Sequence, residues 1–450
     1  MPKLTFKFYA ALIILISSVT SRVSSQETIA PNNIMELSLK DSVGIAYLNN
    51  KQIQIQEQEV EYSRANIVDA QSKFMPVVNI GTGYTLRDSV APSTTTGNNR
   101  KDPRIYTGYK SDNALTITLN ESVYNGGANI ANLEQARLGL KVQQETLRAM
   151  KLDVEFETKR LYYGLLLAYE TERIARDLVN NAKVHYDDTK SKFDQGSASR
   201  FELLQSSVQV SKLVPELVKA RNAVELITAE FKKLLSIDQA VLIKLNGKLL
   251  YIPIEILEKD FLLEAYKSKP EMILKLLGVD INKWGIEYAK SGYYPQITAT
   301  GGYTYRSNDV GNMVNPAHDT WNIGASVTFM VFDGFSTKAK VDEAKAKYVE
   351  ANLQKVNTIE QIAVDIKQAC LDMVKAEAII KSQRDAVVEA KDALYISEIG
   401  YDNGVTTNLD VLTSQVSLGQ VETNLAQGIY DYIMAKAQLH KTMGRESMEE

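Results

Sequence analysis

The 450-residue sequence predicts a mixed fold: a long α-helical coiled-coil barrel joined to a transmembrane β-barrel, built from two tandem structural repeats. Three observations lead there. The chain states one pattern twice, four segments alternate apolar and polar side chains, and two long proline-free stretches keep helical spacing.

The repeat is visible by eye. Ser72-Lys73-Phe74-Met75-Pro76 and the alternating run after it return as Ser291-Gly292-Tyr293-Tyr294-Pro295, an offset of 219 (295 − 76) that also aligns Ala46-Tyr47 with Ala265-Tyr266. Further on, Phe193-Asp194-Gln195-Gly196 matches Tyr401-Asp402-Asn403-Gly404 at an offset of 208 (404 − 196), which also relates Gly126 to Gly334. The difference falls between Arg87 and Gly126, where one loop is longer in the first copy. Solenoid periods run to roughly 50 residues, so this period means duplication of a domain-sized unit. The sequence divides into a first repeat, 26–245, and a second, 246–450.

Residues 1–25 read as a secretory signal: Lys3 and Lys7, an apolar run from Tyr9 to Val19, then Val23-Ser24-Ser25 before Gln26. No later stretch offers the roughly 20 apolar residues of a spanning helix. Loss of Lys3, Lys7 and Arg22 takes the formal charge from −4 to −7 (−4 − 3), which argues against a nucleic-acid partner. The single cysteine, Cys370, lies in a helical pattern as a small core residue and can form no intrachain disulfide.

In each copy a helical piece comes first, about 51–73 and about 270–291, and then the strands. Strands are expected at about 76–88, 113–124, 295–306 and 320–332. Val78, Ile80, Thr82, Tyr84 and Leu86 share one face of the first; Leu115, Ile117 and Leu119 stand against Thr116, Thr118 and Asn120 in the second. Ile297, Ala299, Gly301, Tyr303 and Tyr305 oppose Thr298 and Thr300, and Trp321, Ile323, Ala325, Val327, Phe329 and Val331 oppose Asn322, Gly324, Ser326 and Thr328. An apolar face toward lipid and a polar face toward a lumen is the pattern of a transmembrane β-barrel. Asn79, Thr118, Asn120, Thr298 and Asn322 are the lumen-facing candidates. Tyr84, Tyr303, Tyr305 and Trp321 toward the outer ends, with Tyr124, Tyr293, Tyr294 and Phe332 toward the inner, form aromatic girdles. Two hairpins cannot close a barrel, and lipid tolerates no open sheet edge. Several chains must therefore pool their strands. Four strands per protomer in a trimer give 12. A one-sided antiparallel sandwich would leave two hairpins too few strands.

The long helices are expected at about 127–195 and 336–403, each about 100 Å long, a length typical of coiled coils. Each ends at a turn whose glycine, Gly196 or Gly404, supplies a left-handed residue. Return helices follow at about 199–235 and 407–443. Each is shorter than its long partner by about the length of the first helical piece, so two short helices stack end to end beside one long one. About 237–258 forms a mixed connector.

In this order of elements the chain resembles the TolC family of outer-membrane efflux and secretion channels. The resemblance rests on Ala46-Tyr47-Leu48-Asn49-Asn50-Lys51-Gln52-Ile53 and its copy Ala265-Tyr266-Lys267-Ser268-Lys269-Pro270-Glu271-Met272, on Pro76 and Pro295 opening the strands, on the two tips, and on Thr407-Asn408-Leu409-Asp410-Val411-Leu412. It covers essentially the whole mature chain. It implies a homotrimer: a 12-stranded barrel in the outer membrane of a Gram-negative bacterium, continuous with a 12-helix tunnel across the periplasm. Such channels are passive exit ducts without cofactors, joined by a periplasmic adaptor to an inner-membrane pump of RND, ABC or MFS type; they are not enzymes. The tip turns, with Gly196, Gly404, Asp194 and Asp402, are where the adaptor would dock.

The resemblance also implies a gate. Asp410 matches the first acidic residue facing the tunnel axis, and its usual acidic companion is Thr413 here. Three Asp410 carboxylates about one axis would attract cations; the plainer role is a helix-start aspartate favoured by the dipole. Tyr401 matches a tip tyrosine that pairs, in the closed tunnel, with an acidic residue matched by Glu202. The family arginine after the second glycine is Thr406, and an arginine occurs instead at Arg200, so the latch is expected to be rewired.

Elsewhere no chemistry is encoded. His185, His318 and His440 lack metal-ligand spacing, Gly81-x-Gly83 lacks a third glycine, and Asp187-Asp188 reads as a solvated helix face. A periplasmic coiled-coil scaffold would explain the helices and leave the strands without purpose; a porin needs many more strands from one chain.

Overall fold

A computed structural model describes residues 34–86, 92–93, 105–106, 111–307 and 319–445. The signal region, Arg87, His318 and most of the two loops expected to be external lie outside them. The chain begins with strand β1 (Ile34–Leu37), helices α1 (Leu39–Asn49) and α2 (Lys51–Ser72), strands β2 (Val77–Leu86) and β3 (Ser111–Asn125), then helices α3 (Ala128–Asp194) and α4 (Arg200–Leu235). After strand β4 (Leu242–Leu245) come α5 (Glu258–Ser268), α6 (Pro270–Lys290), β5 (Gln296–Ser307), β6 (Asp319–Thr328), α7 (Ser336–Asp402) and α8 (Asn408–Met443). A two-residue ladder, Pro92–Ser93 with Ile105–Tyr106, lies between β2 and β3.

Four strands form one antiparallel sheet in the order β2-β3-β5-β6. Partners across a ladder share a face, so register alone sorts the side chains. Asn79, Thr118, Gly302 and Asn322 make one row across all four strands, and Ile80, Ile117, Tyr303 and Trp321 make the neighbouring row on the opposite face. The sheet is open at both β2 and β6, and both edge strands are exposed along their whole length. The last strand ends at Thr328, short of the expected 332. Its partner β5 starts at Gln296, behind Pro295, which has no amide proton to donate, and its other side is an empty edge.

The long helices α3 and α7 are 67 residues each, and the return helices α4 and α8 are 36 each. Side-chain caps start α4 and α8: Ser199 with Glu202, and Thr407 with Asp410, form reciprocal capping boxes. Along one side α3 packs on α2 and α4; along the other it packs on α6 and α8, which in turn pack on α7. The short helices do stack. Asn50, between α1 and α2, donates through Nδ2 to the Leu234 carbonyl at the end of α4 (3.1 Å). At the matching joint, the start of α6 abuts Gly444 after α8, where a Cβ would lie 2.8 Å from Lys269 Cα.

The hydrophobic core sits at the waist. One cluster joins Leu37, Ala46, Ile53, Leu161, Leu165, Phe231 and Leu235; its counterpart joins Ala265, Met272, Ile366, Cys370, Met373, Tyr432 and Leu439. Cys370 is buried there, and desolvation pushes its thiol pKa up. Helices α1 and α5 and the parallel pair β1–β4 thicken the wall at this height. Sequence reasoning missed them, although Ser38 and Asp41 carry a capping box visible as Ser-x-x-Asp.

Candidate functional site: the helix tips and the strand lumen

Both tips are built alike. Gly196 at φ +79° and Gly404 at φ +73° turn the chain, and the amides of Ser197 and Val405 return to the Lys192 and Gly400 carbonyls at 2.8 and 2.7 Å. Thr406, in the family arginine's place, donates its hydroxyl to the Ser397 carbonyl (2.8 Å) and so fastens the second turn to its own helix.

Between the tips stands Lys192 near the end of α3. Its ammonium donates to Asp402 Oδ1 (2.8 Å), pairs with Asp188 (2.9 Å) and lies 4.2 Å from the centre of the Tyr401 ring. Burial draws the Lys192 pKa down, and the hydrogen bonds to Asp402 and Asp188 outweigh it, so it stands above the ordinary lysine value. Behind Tyr401 the His185 ring lies 5.3 Å away, centre to centre. His185 Nε2 meets Asn408 Oδ1 at 2.6 Å, and the Ser206 hydroxyl donates to the same oxygen at 3.1 Å. Asn408 Nδ2 donates to Gln205 Oε1 (3.2 Å) and the Glu202 carbonyl (3.3 Å), while Thr189 bonds the His185 carbonyl. Asn408 is 1% exposed, and Ser206 and Thr189 are fully buried. A buried polar knot with its groups satisfied thus joins α3, α4 and α8 just behind the tip.

The sequence-derived site residues fall as follows. Among the described residues no hydrogen bond links Tyr401 to Glu202: the Glu202 carboxylate accepts the Ser199 amide (2.7 Å), and Tyr401 is turned to Lys192 and His185. Arg200, exposed, opens α4; Asp194 is exposed at the first tip; Asp402 is drawn into the Lys192 pair. The Asp410 carboxylate accepts from the Thr407 amide (2.8 Å) and hydroxyl (2.7 Å), which hold its pKa below the ordinary 3.8. Thr413, exposed, bonds the Leu409 carbonyl of its own helix. Asp188 is no mere solvated residue, since it shares Lys192 with the second tip. Lys192, His185 and Asn408 escaped sequence reasoning because each reads as an ordinary helical residue until the helices are set side by side. At the other end, Asn79, Thr118, Asn120, Thr298 and Asn322 all lie on one face of the sheet. Among the described residues no helix is long and apolar enough to cross a membrane, and no group of three His, Cys, Asp or Glu could hold a metal ion.

Such a molecule is one sector of a duct: sheet and helical wall are continuous, and both are open on the same two sides. Comparison with known proteins agrees. The family of outer membrane efflux proteins matches residues 43–235 and 269–445, one segment per repeat. The outer membrane protein TolC of Vibrio cholerae is 21% identical over 389 residues, 85% of each chain, and the alkaline protease secretion protein AprF of Pseudomonas aeruginosa is 20% identical over 411, covering 90% of this chain and 83% of AprF. A crystal structure of a Pseudomonas aeruginosa membrane protein superposes with a TM-score of 0.80 at 17% identity, covering 92% of this chain and 91% of the other. The chain belongs to the outer membrane efflux protein family, a family of channels, and its place is the outer membrane of a Gram-negative bacterium.

Proposed function

We propose that three copies of this chain form an exit duct across the outer membrane and periplasm, closed at the helix tips and opened there by a periplasmic adaptor coupled to an inner-membrane pump of the RND, ABC or MFS type. One observation carries the reading: the two uncovered edges of the sheet and the two uncovered sides of the helical wall belong to the same parts of the chain. Edge strand β2 runs between α2 and the rest, and α2 with α4 forms one flank; edge strand β6 leads into α7, which forms the other. The flanks carry the exposed apolar side chains, Ile55 and Tyr62 on α2, Phe201 on α4, Leu353, Leu371 and Tyr395 on α7, whereas the central α8 exposes few. Lipid forbids an open edge. Copies of the chain satisfy edge and flank together, and three copies of four strands give an even-numbered barrel of familiar size.

The lumen-facing candidates Asn79, Thr118, Asn120, Thr298 and Asn322 are neutral and polar, which suits a duct that leaves cargo selection to the pump. Its charge filter is Asp410 at the tips, with Thr413 a turn further along. The tip tie is Lys192 with Asp402, Asp188 and Tyr401, in place of a Tyr401–Glu202 latch. An adaptor opens the duct by binding the untied state more tightly than the tied one, at the turns carrying Gly196, Gly404 and Asp194. Single-channel current across a lipid bilayer tests this reading. Wild type should show a small cation-preferring conductance, and Asp410→Ala should lose the preference. Conductance without any effect of Asp410→Ala would move the filter elsewhere; no insertion at all would return a periplasmic scaffold as the better reading.

A further inference from the structure

Resting on the reading that copies close one barrel, we propose that β6 of one subunit pairs antiparallel with β2 of the next in a single register, Val327 opposite Thr82 and Phe329 opposite Ile80, and that residues 329–333 become strand in that pairing.

The two repeats correspond element by element. With offsets of 219 up to β2 and 208 from β3 onward, α1, α3 and α4 map onto α5, α7 and α8 with the same first and last residues. The hairpins share their register as well: Val77 pairs with Asn120, and the corresponding Gln296 pairs with the corresponding Thr328. The β3–β5 ladder is therefore one observed case of a hairpin of one copy meeting a hairpin of the other. The joint between chains joins the same two kinds of hairpin in the same order. In a closed barrel, strand tilt and stagger are linked, so equivalent hairpins incline alike only when every joint carries the same stagger. Carried across, Leu119 opposite Gly301 becomes Val327 opposite Thr82; Ile117 opposite Tyr303 becomes Ala325 opposite Tyr84; Glu121 opposite Ala299 becomes Phe329 opposite Ile80.

The transfer keeps the faces in step, and a feature that played no part in it agrees as well. First, every transferred pair joins like faces: Ala325 and Val327 belong to the same face of β6 as Trp321, Phe329 continues their alternation, and Tyr84, Thr82 and Ile80 belong to the matching face of β2. A slip of one residue would turn every side chain of the joint to the wrong side. Second, β3 stays paired as far as Asn125, with a register shift between Ser122 and Tyr124, whereas the equivalent Phe329-Met330-Val331-Phe332-Asp333 lies beyond the end of β6. Its four apolar residues are all exposed, Val331 at 85%. The transferred register gives this segment the start of the next subunit's β2, with Asp333 opposite Val77 and Val331 in the bulge that Val123 occupies in the first copy.

The test uses full-length protein in outer membranes with Cys370→Ala, carrying Thr82→Cys and Val327→Cys, and treated with a mild oxidant. Directly opposed residues fall within the roughly 4.4–6.8 Å between Cα atoms that a disulfide spans, while partners two residues out of register are roughly 7–8 Å apart. Covalent trimers should appear on a non-reducing gel for this pair, and for Tyr84→Cys with Ala325→Cys should the first disturb insertion. Thr82→Cys with Ala325→Cys, and Thr82→Cys with Phe329→Cys, should link far less. Preferential linking of either shifted pair overturns the register and leaves the trimer standing. No disulfide in any pair also overturns the register when an amine-reactive cross-linker still captures the wild-type trimer. If that reagent yields only monomer, the duct reading falls with it.

Discussion

At the scale of single residues, the tip is where the sequence misleads most. Asp410 and Glu202 are picked out by the family resemblance, yet in one chain both are the acidic partners of capping boxes, Thr407 with Asp410 and Ser199 with Glu202. The residue that ties the two copies is Lys192, and nothing in the run Thr189-Lys190-Ser191-Lys192 separates it from its neighbours. Its partners are 4 and 210 positions away, and only the relative height of α3 and α7 brings the far one near. Partly exposed ion pairs contribute about 0.2–1 kcal/mol each and a cation over an aromatic ring about 0.5–1. Lys192→Met keeps the stem and removes all three contacts. About 1 kcal/mol lost per chain, summed over three, should raise the open population of the tips by roughly a hundredfold, read as higher open probability in single-channel records. The sign of the pH effect follows from the raised lysine pKa. The tie contributes fully below the ordinary 10.5 and is lost as pH rises through the raised value. Wild-type channels should loosen in strong alkali, and Lys192→Met should lack that step.

At the scale of elements, what was legible followed from period and length. Alternation marked the four strands because each has one lipid-facing side, and uninterrupted heptad-like spacing marked the long helices. The waist stayed hidden for the opposite reason. Strand β1 is only four residues long and pairs in parallel with β4, with Ile34 opposite Leu242 across two helix pairs, a contact that no local pattern records. The expected fourth strand runs past Thr328, where it ends in the single chain, because Phe329 and Val331 continue the alternation, and alternation cannot tell a paired segment from one awaiting its partner. Helix contacts, too, depend on particular small residues. Gly419 is buried on α8, and a Cβ there would stand 2.5 Å from Leu178 Cδ1 on α3. Leu178 can turn aside for one methyl group and not for a whole side chain. Gly419→Leu should therefore cost about 1–3 kcal/mol by overpacking, with Gly419→Ala well below it, seen as a lower midpoint in thermal unfolding followed by circular dichroism.

At the scale of the whole molecule, the chain makes sense only as part of something larger, and one helix carries both halves of that statement. Helix α7 turns Ile366 and Met373 into the waist, at 1% and 0% exposed, while Leu371 is left 52% exposed on the same turns. In the first copy the equivalent of Leu371 is Tyr163, which stands beside Ile433 and Ala437 at a small cleft between α3 and α8. If the joint between chains repeats the joint within one, Leu371 rests against α4 of the next subunit. A charge placed at these two kinds of position should act at different levels. Met373→Glu buries an unpaired carboxylate in the core of one chain, costs several kcal/mol and should abolish folding. Leu371→Glu stays solvated in the isolated chain, where surface changes stay within about 0.5 kcal/mol, and meets apolar surface only on assembly. It should give a folded monomer of wild-type helix content, distinguished by sedimentation in detergent from the wild-type trimer. A Leu371→Glu protein that still sediments as a trimer would mean that this face of α7 looks onto solvent, and that the ring closes along another line.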